Sequence, residues 1–67
     1  MNENIIKGKW NQMKGAAQKK WGKLTNDQLD QVNGERKKLL GVIQESYGIA
    51  REEAERQVKL WEDSMAA

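Results

Sequence analysis

The chain has 67 residues, a third of them charged, and a formal net charge of +2 at pH 7. A chain this short forms one domain at most, and such a domain usually needs disulfides, a metal, oligomerisation or very good helix packing. Cysteine and histidine are both absent, which excludes disulfides and the common zinc sites, so no metal or other cofactor is expected.

Composition also bears on fold class and compartment. Proline is absent and charged residues are frequent, which is typical of a soluble, helix-rich protein. No apolar run approaches the roughly 18 residues of a membrane span. The first residues lack the basic-then-apolar layout of a secretory signal. We therefore predict a single all-α domain over residues 1–67, located in the cytoplasm.

The first predicted helix covers residues 3–21. Its apolar side chains recur at helical spacing. They are Ile6, Trp10, Met13, Ala17 and Trp21. Gly8 and Gly15 fall on the opposite side of the helix, and Gly22 is expected to end it in a left-handed conformation.

The second predicted helix has the clearest start signal in the chain. Thr25 is the predicted N-cap, and Gln28 completes a capping box three residues later. Asp27 suits the positive end of the helix, and Leu24 and Leu29 are spaced for a hydrophobic staple.

Residues 26–47 could form one helix or two. Arg36 lies where an apolar residue is expected, so either its aliphatic stem covers the core or the helix breaks before it. The Asn33-Gly34 pair is a strong turn signal and favours the break. Tyr47-Gly48 is predicted to end this segment.

A last helix is predicted at about residues 51–64, with an apolar stripe that starts in the preceding loop and ends just beyond the helix. The stripe consists of Ala50, Ala54, Val58, Trp61 and Met65. The predicted core of the whole domain consists of Trp10, Met13, Trp21, Leu29, Leu39, Ile43, Tyr47, Val58 and Trp61.

An internal repeat connects the two halves of the chain. Glycines spaced by seven residues occur twice, 26 positions apart. The first set is Gly8, Gly15 and Gly22, and the second is Gly34, Gly41 and Gly48. The same offset aligns Met13 with Leu39, Ala17 with Ile43, and Trp21 with Tyr47. This pattern predicts about four short helices in two similar helix–Gly–helix units, arranged as a small bundle or irregular array.

Catalysis finds little support in the residue types present. Without histidine or cysteine there is no imidazole base and no thiol nucleophile. Asp27 with Asp30, or Glu52 with Glu53 and Glu55, could be considered as paired carboxylates. Acidic residues near helix N-termini are common for electrostatic reasons, however. The prediction is that the protein is not an enzyme.

Basic residues are concentrated at one end of the chain. Residues 1–24 carry six lysines and one glutamate, whereas residues 25–67 carry six basic and nine acidic side chains. Lys7 and Lys14 border one side of the first helix's apolar stripe, and Lys9 and Lys20 border the other. These four lysines are a candidate surface for anionic lipid or nucleic acid. The alternative, which we prefer, is that the tryptophans are core and the two oppositely charged parts of the chain attract one another.

Several motifs resemble those of the CsbD-like family of small bacterial proteins, over about residues 3–62. They are Lys14-Gly15, the run from Trp21 to Asp27, Gly34, Leu39, Gly41, Ile43-Gln44-Glu45, Tyr47-Gly48 and Glu53-Ala54-Glu55. The resemblance implies a small, cytoplasmic, helical protein of the general stress response. It implies no reaction and carries over no catalytic or ligand residue.

Two functional hypotheses follow. The first is a non-enzymatic stress-response protein with a protective or protein-interaction role, whose partner is another protein or a second copy of itself. The second is an anionic-surface binder, on lipid or nucleic acid, that uses the lysines of the first helix.

Overall fold

Four helices account for most of residues 8–66, the part of the chain that the computed structural model describes. They are α1 (Trp10–Lys20), α2 (Asn26–Val32), α3 (Arg36–Tyr47) and α4 (Arg51–Ala66). This part of the chain contains no strand, and it measures 27 × 23 × 18 Å. The predicted all-α array of four short helices is confirmed.

The end of α1 differs from the prediction. The Trp21 N–H still donates to the Ala17 carbonyl, at 2.8 Å, and the Leu24 N–H donates to the Trp21 carbonyl at 3.0 Å. Among residues 8–66, positive φ angles occur at Asn33, Gly34 and Gly48 but not at Gly22. The expected left-handed stop at Gly22 is therefore wrong, because this tight turn closes without a left-handed residue. The predicted helix over residues 3–21 is also interrupted before Trp10, because Lys9 has φ −116° and ψ 14° and is not helical, so α1 begins at Trp10. The earlier part of that prediction, residues 3–7 with Ile6, lies outside the described residues.

The start of α2 is as predicted. The Gln28 N–H donates to the Thr25 Oγ1 at 3.1 Å, and the Thr25 N–H donates to the Gln28 Oε1 at 2.9 Å. Both members of the expected staple, Leu24 and Leu29, are buried in the same core. The capping box thus fixes where the chain turns from α1 into α2.

The chain breaks between α2 and α3 at the Asn-Gly pair. Asn33 has φ 49° and Gly34 has φ 80°, and the Glu35 N–H closes the turn on the Val32 carbonyl at 2.9 Å. Two left-handed residues in succession cannot continue a right-handed helix. The favoured prediction of two helices within residues 26–47 is confirmed.

Arg36, the polar residue on an apolar face, begins α3 and pairs with a carboxylate of α4. Its Nε lies 3.3 Å from both carboxylate oxygens of Glu62, whose exposed fraction is only 2 %. The sequence pattern identified Arg36 as anomalous and predicted the break before it, but it did not identify Glu62 as the partner.

The end of α3 at Gly48 and the start of α4 at Arg51 agree with the predictions. Two residues of the predicted α4 stripe do not. Gly48 ends α3 with φ 64°, and α4 begins at Arg51. Ala50 is exposed, because it lies in the loop before the first turn of α4. Met65, near the end of α4, is 40 % exposed. Both were expected on the apolar stripe, and that part of the prediction is wrong.

The core contains eight of the nine side chains predicted for it. The exception is Tyr47, which is partly buried and packs against the core; its hydroxyl accepts a hydrogen bond from the Lys23 backbone N–H at 3.2 Å. Five further hydrophobic residues are buried: Ala17, Leu24, Val32, Leu40 and Ala54. Some repeat positions behave alike: Met13 and its counterpart Leu39 are buried, and Gly15 and its counterpart Gly41 are exposed.

Candidate anion-binding surface

The described segment from residue 8 to residue 24 contains five lysines and no acidic residue. It comprises α1 and the turn that follows. All the charged side chains of this segment are therefore basic. The sequence predicts an anion site on α1.

The four predicted lysines do not form one site. Lys7 lies outside the described residues. Lys14 forms an ion pair with Asp30 of α2, and 29 % of its side chain is exposed. Lys9, at the N-cap of α1, and Lys20, in its last turn, are exposed and form no ion pair with any described residue. Two of the four therefore remain open to an anion.

The structure adds two lysines to this surface. Lys19 is exposed in the last turn of α1, next to Lys20. Lys23 is exposed in the following turn, and its Nζ lies 5.2 Å from the centre of the Tyr47 ring, within range of a cation–π interaction. Lys19 has a sequence signal, because it belongs to the basic pair Lys19-Lys20. It was not among the predicted site residues because it does not border the apolar stripe of the first helix. The position of Lys23 over Tyr47 depends on the tertiary fold and has no sequence signal.

The tryptophans of α1 face inward. Trp10 is 5 % exposed and its Nε1 donates to the Leu29 carbonyl at 3.0 Å. Trp21 is 2 % exposed, donates to the Gln57 Oε1 at 2.9 Å, and meets Trp61 edge to face with ring centres 5.2 Å apart. The preferred interpretation, that these indoles are core, is confirmed. The folded α1 therefore offers lysines but no aromatic side chain for insertion into a bilayer.

Local helix electrostatics account for part of the lysine distribution. Lys19 and Lys20 lie in the last turn of α1, where the helix macrodipole is negative and cations are stabilising. The Lys14–Asp30 ion pair joins the basic first part of the chain to its acidic remainder. Lys9 has neither role in the described structure, since it lies at the helix N-terminus.

The acidic clusters are tied to basic neighbours. Glu53 bonds to Arg56 through both carboxylate oxygens, at 3.0 and 2.6 Å, and accepts a further bond from Gln57. The Arg56 guanidinium, followed by the Gln57 amide, lowers the pKa of Glu53 below 4.5. A catalytic general acid needs a raised pKa, so this environment has the opposite effect.

The remaining candidate carboxylates are also on the surface. Glu55 pairs with Arg51 at 3.0 Å, and Asp30 pairs with Lys14. Asp27 lies exposed in the first turn of α2, and Glu52 in that of α4. Among the described residues, no three acidic side chains are grouped as metal ligands. Within residues 8–66, no helix has both the length and the apolar character to cross a bilayer.

Comparison with known proteins places this arrangement in a family. The model of the CsbD-like family matches residues 4–56. A UPF0337 protein of Pectobacterium atrosepticum is 51 % identical over 63 residues, which cover 94 % of this chain and 91 % of the relative. A UPF0337 protein of Protochlamydia amoebophila is 43 % identical over 94 % of this chain and 96 % of its own length. The UPF0337 protein YjbJ of Escherichia coli is 44 % identical over 92 % of this chain and 90 % of its own. No solved structure matches.

Proposed function

Because this chain belongs to the CsbD-like family, we propose that it is a non-enzymatic protein of the bacterial general stress response that works in the cytoplasm and protects or binds other proteins through its folded surface. The stress-response setting is what family membership implies.

The observation that supports this proposal is that the polar side chains are either hydrogen-bonded or exposed to solvent. Among the described residues, no buried side-chain nitrogen or oxygen lacks a hydrogen-bond partner. Glu62, the one buried carboxylate in the described part of the chain, is held by Arg36. Active sites usually keep strained or incompletely satisfied polar groups in a recess. Here the polar groups are paired or exposed on helix surfaces, which favours a protein that acts by binding other molecules to its surface.

A protection assay tests this proposal. A heat-labile enzyme is heated with the protein or with an equal mass of an unrelated small helical protein, and its remaining activity and light scattering are measured. We expect more remaining activity and less scattering with this protein. Equal results for the two additives would contradict the proposal.

The fold itself can be controlled in the same assay. Trp21→Ala removes a buried aromatic side chain, which typically costs about 3–5 kcal/mol and would unfold most of so small a domain. If protection depends on the folded surface, this variant protects less than the parent. Equal protection by the unfolded variant would show that composition alone is sufficient.

The exposed lysines favour a second candidate, binding to an anionic surface. Lys9 and Lys20 keep free ammonium groups, and Lys19 and Lys23 extend the same acid-free segment. Because the indoles are buried, this binding would be electrostatic and peripheral. It would then weaken steeply with salt, since each neutralised phosphate releases a condensed counterion.

Two matched double variants test the second candidate. Lys9→Gln with Lys20→Gln and Lys37→Gln with Lys59→Gln both remove two positive charges from exposed positions. Binding is measured by sedimentation with phosphatidylserine vesicles and by fluorescence anisotropy with duplex DNA, at low and high salt. We expect the first pair to bind more weakly than the second. Equal binding by both pairs, or no binding by the parent, would exclude the α1 surface.

A further inference from the structure

A shallow groove of about 270 Å³ runs between α2 and α3 on the outside of the molecule. It is lined by Gln31, Val32, Lys38, Gly41, Val42 and Glu45. Val32 forms a fully buried floor, whereas Val42 is only half-buried. The α3 side of the groove thus leaves a branched apolar side chain partly in water.

Gly41 lies beside Val42 in the middle of α3 and has no evident role inside the described molecule. A Cβ added there would meet nothing within 4 Å, and its φ is not in the left-handed region. Glycine is less favourable than alanine inside a helix. Its absent side chain leaves a gap that faces outward, next to the exposed edge of Val42.

The charges on either side of this pair are opposite. Lys38 and Glu45 are seven residues apart, about 10 Å along the helix, and share the face that carries Gly41 and Val42. Glu45 is exposed and forms no ion pair with any described residue. Lys38 pairs with Glu35 at 3.0 Å, in an exposed contact that is readily exchanged.

These four positions are symmetric about the point between Gly41 and Val42. An antiparallel copy of α3 related by a two-fold axis perpendicular to the helix at that level would keep each side chain on its own side of the contact, so that Val42 meets the partner's Val42 and Gly41 meets the partner's Gly41. The same rotation would place Lys38 opposite the partner's Glu45. This ion pair then occurs twice, as expected for an isologous interface.

We propose that this face of α3 binds a second copy of the chain in that antiparallel arrangement. The two Val42 side chains pack against each other, the facing Gly41 positions let the two helices approach closely, and each Lys38 pairs with the partner's Glu45. The contact is small, so the dimer is weak and its population depends on protein concentration. Oligomerisation is also one of the ways in which a domain of this size gains stability.

The equivalent face of α1 lacks this complementarity and supplies a control. The 26-residue offset matches Gly41 with Gly15, Lys38 with Gln12 and Glu45 with Lys19. Gly15 is equally open, with nothing within 4 Å of an added Cβ. Without an acidic residue, that face cannot pair with a copy of itself.

Charge reversal tests the proposal by sedimentation equilibrium across roughly two decades of protein concentration. Lys38→Glu and Glu45→Lys should each weaken association about tenfold, because each turns two attractive contacts into two repulsive ones. The double variant restores both pairs with exchanged signs and should associate like the parent. Lys37→Glu makes the same charge change one residue off the face and should have little effect.

The remaining outcomes overturn the proposal. A parent chain that stays monomeric at every concentration excludes the dimer. If the double variant fails to restore association, or if Lys37→Glu weakens it as much as Lys38→Glu, another surface is responsible. Tryptophan emission of each variant checks that the monomer is still folded.

Substitution of the two glycines tests the central contact independently. Gly41→Ala fits the monomer but would add a methyl group on each helix where the two Gly41 positions face each other, so we expect weaker association. Gly15→Ala makes the same change on α1 and should leave association unchanged. Association that survives Gly41→Ala, or that falls equally in both variants, contradicts the proposed packing.

Discussion

The Nε of Arg36 lies 3.3 Å from both carboxylate oxygens of Glu62, joining the first residue of α3 to the C-terminal part of α4. The two side chains of this pair differ in solvent exposure. The Glu62 side chain is 3 % exposed, whereas the Arg36 side chain is 24 % exposed and can reach water along its stem.

Removing the two partners should therefore have unequal effects. Arg36→Ala leaves a buried carboxylate without a partner and should lower the free energy of unfolding by about 3 kcal/mol. Glu62→Ala leaves an arginine that can turn toward solvent, so the loss should be smaller. Urea titration of both variants measures the difference.

An apolar replacement of the whole pair completes this test. Arg36→Met combined with Glu62→Leu fills similar volume without charge and should unfold within about 1 kcal/mol of the parent or be more stable. If the double variant is as unstable as Arg36→Ala, the pair contributes specific structure that apolar packing cannot replace.

The capping box of α2 supports a second prediction. Thr25→Ala removes the acceptor for the Gln28 N–H and should destabilise the protein by about 1 kcal/mol. Thr25→Ser keeps a hydroxyl acceptor and serves as the control. Because the Gln28 side chain bonds in return to the Thr25 N–H, Gln28→Ala in the Thr25→Ala background should cost less than in the parent. Strictly additive losses in thermal melts would show that the two bonds act separately.

Glycines at two positions should respond to alanine with opposite signs. Gly48 has φ 64° at the end of α3, so Gly48→Ala forces a strained backbone and should cost about 1 kcal/mol. Gly15 lies inside α1 with open space around it, so Gly15→Ala should stabilise by about 0.5–1 kcal/mol. Urea midpoints that move in the same direction for both variants would contradict this conformational account.

The parts of this fold that local chemistry controls could be predicted from the sequence. A capping box, an Asn-Gly turn and apolar spacing each act over a few neighbouring residues, so α2, the break at Asn33 and most of the core were predicted correctly. Gly22 shows the limit of such reasoning. A glycine after a helix permits a left-handed turn but does not require one, and hydrogen bonds of the following turn decide which conformation forms.

The candidate site was harder to predict, since it depends on which helices meet. Nothing near Lys14 in the sequence indicates that Asp30 will neutralise it, and nothing near Lys23 indicates that Tyr47 will lie beneath it. Arg36 and Glu62 are likewise 26 residues apart. Long-range pairs of this kind decide which charges remain free for a partner, and spacing along a single helix does not reveal them.

The ionisation of Glu53 supports a prediction about pH. Its pKa is lowered from 4.5, chiefly by the hydrogen bond from Arg56. A lowered pKa in the folded state means that this contact stabilises the protein above pH 4.5 and stops doing so as the pH falls through the folded value. In a carbon-13 NMR titration of the side-chain carboxyl, the Glu53 midpoint should lie below 4.5 in the parent and rise toward it in Arg56→Met.

A second arginine of α4 controls for general charge effects in that titration. Arg51→Met also removes one positive charge, but Arg51 pairs with Glu55. The Glu53 midpoint should therefore stay close to its parent value in Arg51→Met. Equal shifts in the two variants would mean that net charge, and not the direct hydrogen bond, lowers this pKa.

The three tryptophans provide a test of whether the free protein is folded on its own. Trp10, Trp21 and Trp61 are each at most 6 % exposed, so the emission of the native protein should be blue-shifted relative to free tryptophan. All three lie in one core cluster, so urea should shift the emission to the red in a single cooperative transition. Solvent-like emission without a transition would mean that the free chain does not bury its core. In that case a membrane or protein partner would be needed to fold it, and the second candidate function would gain support over the first.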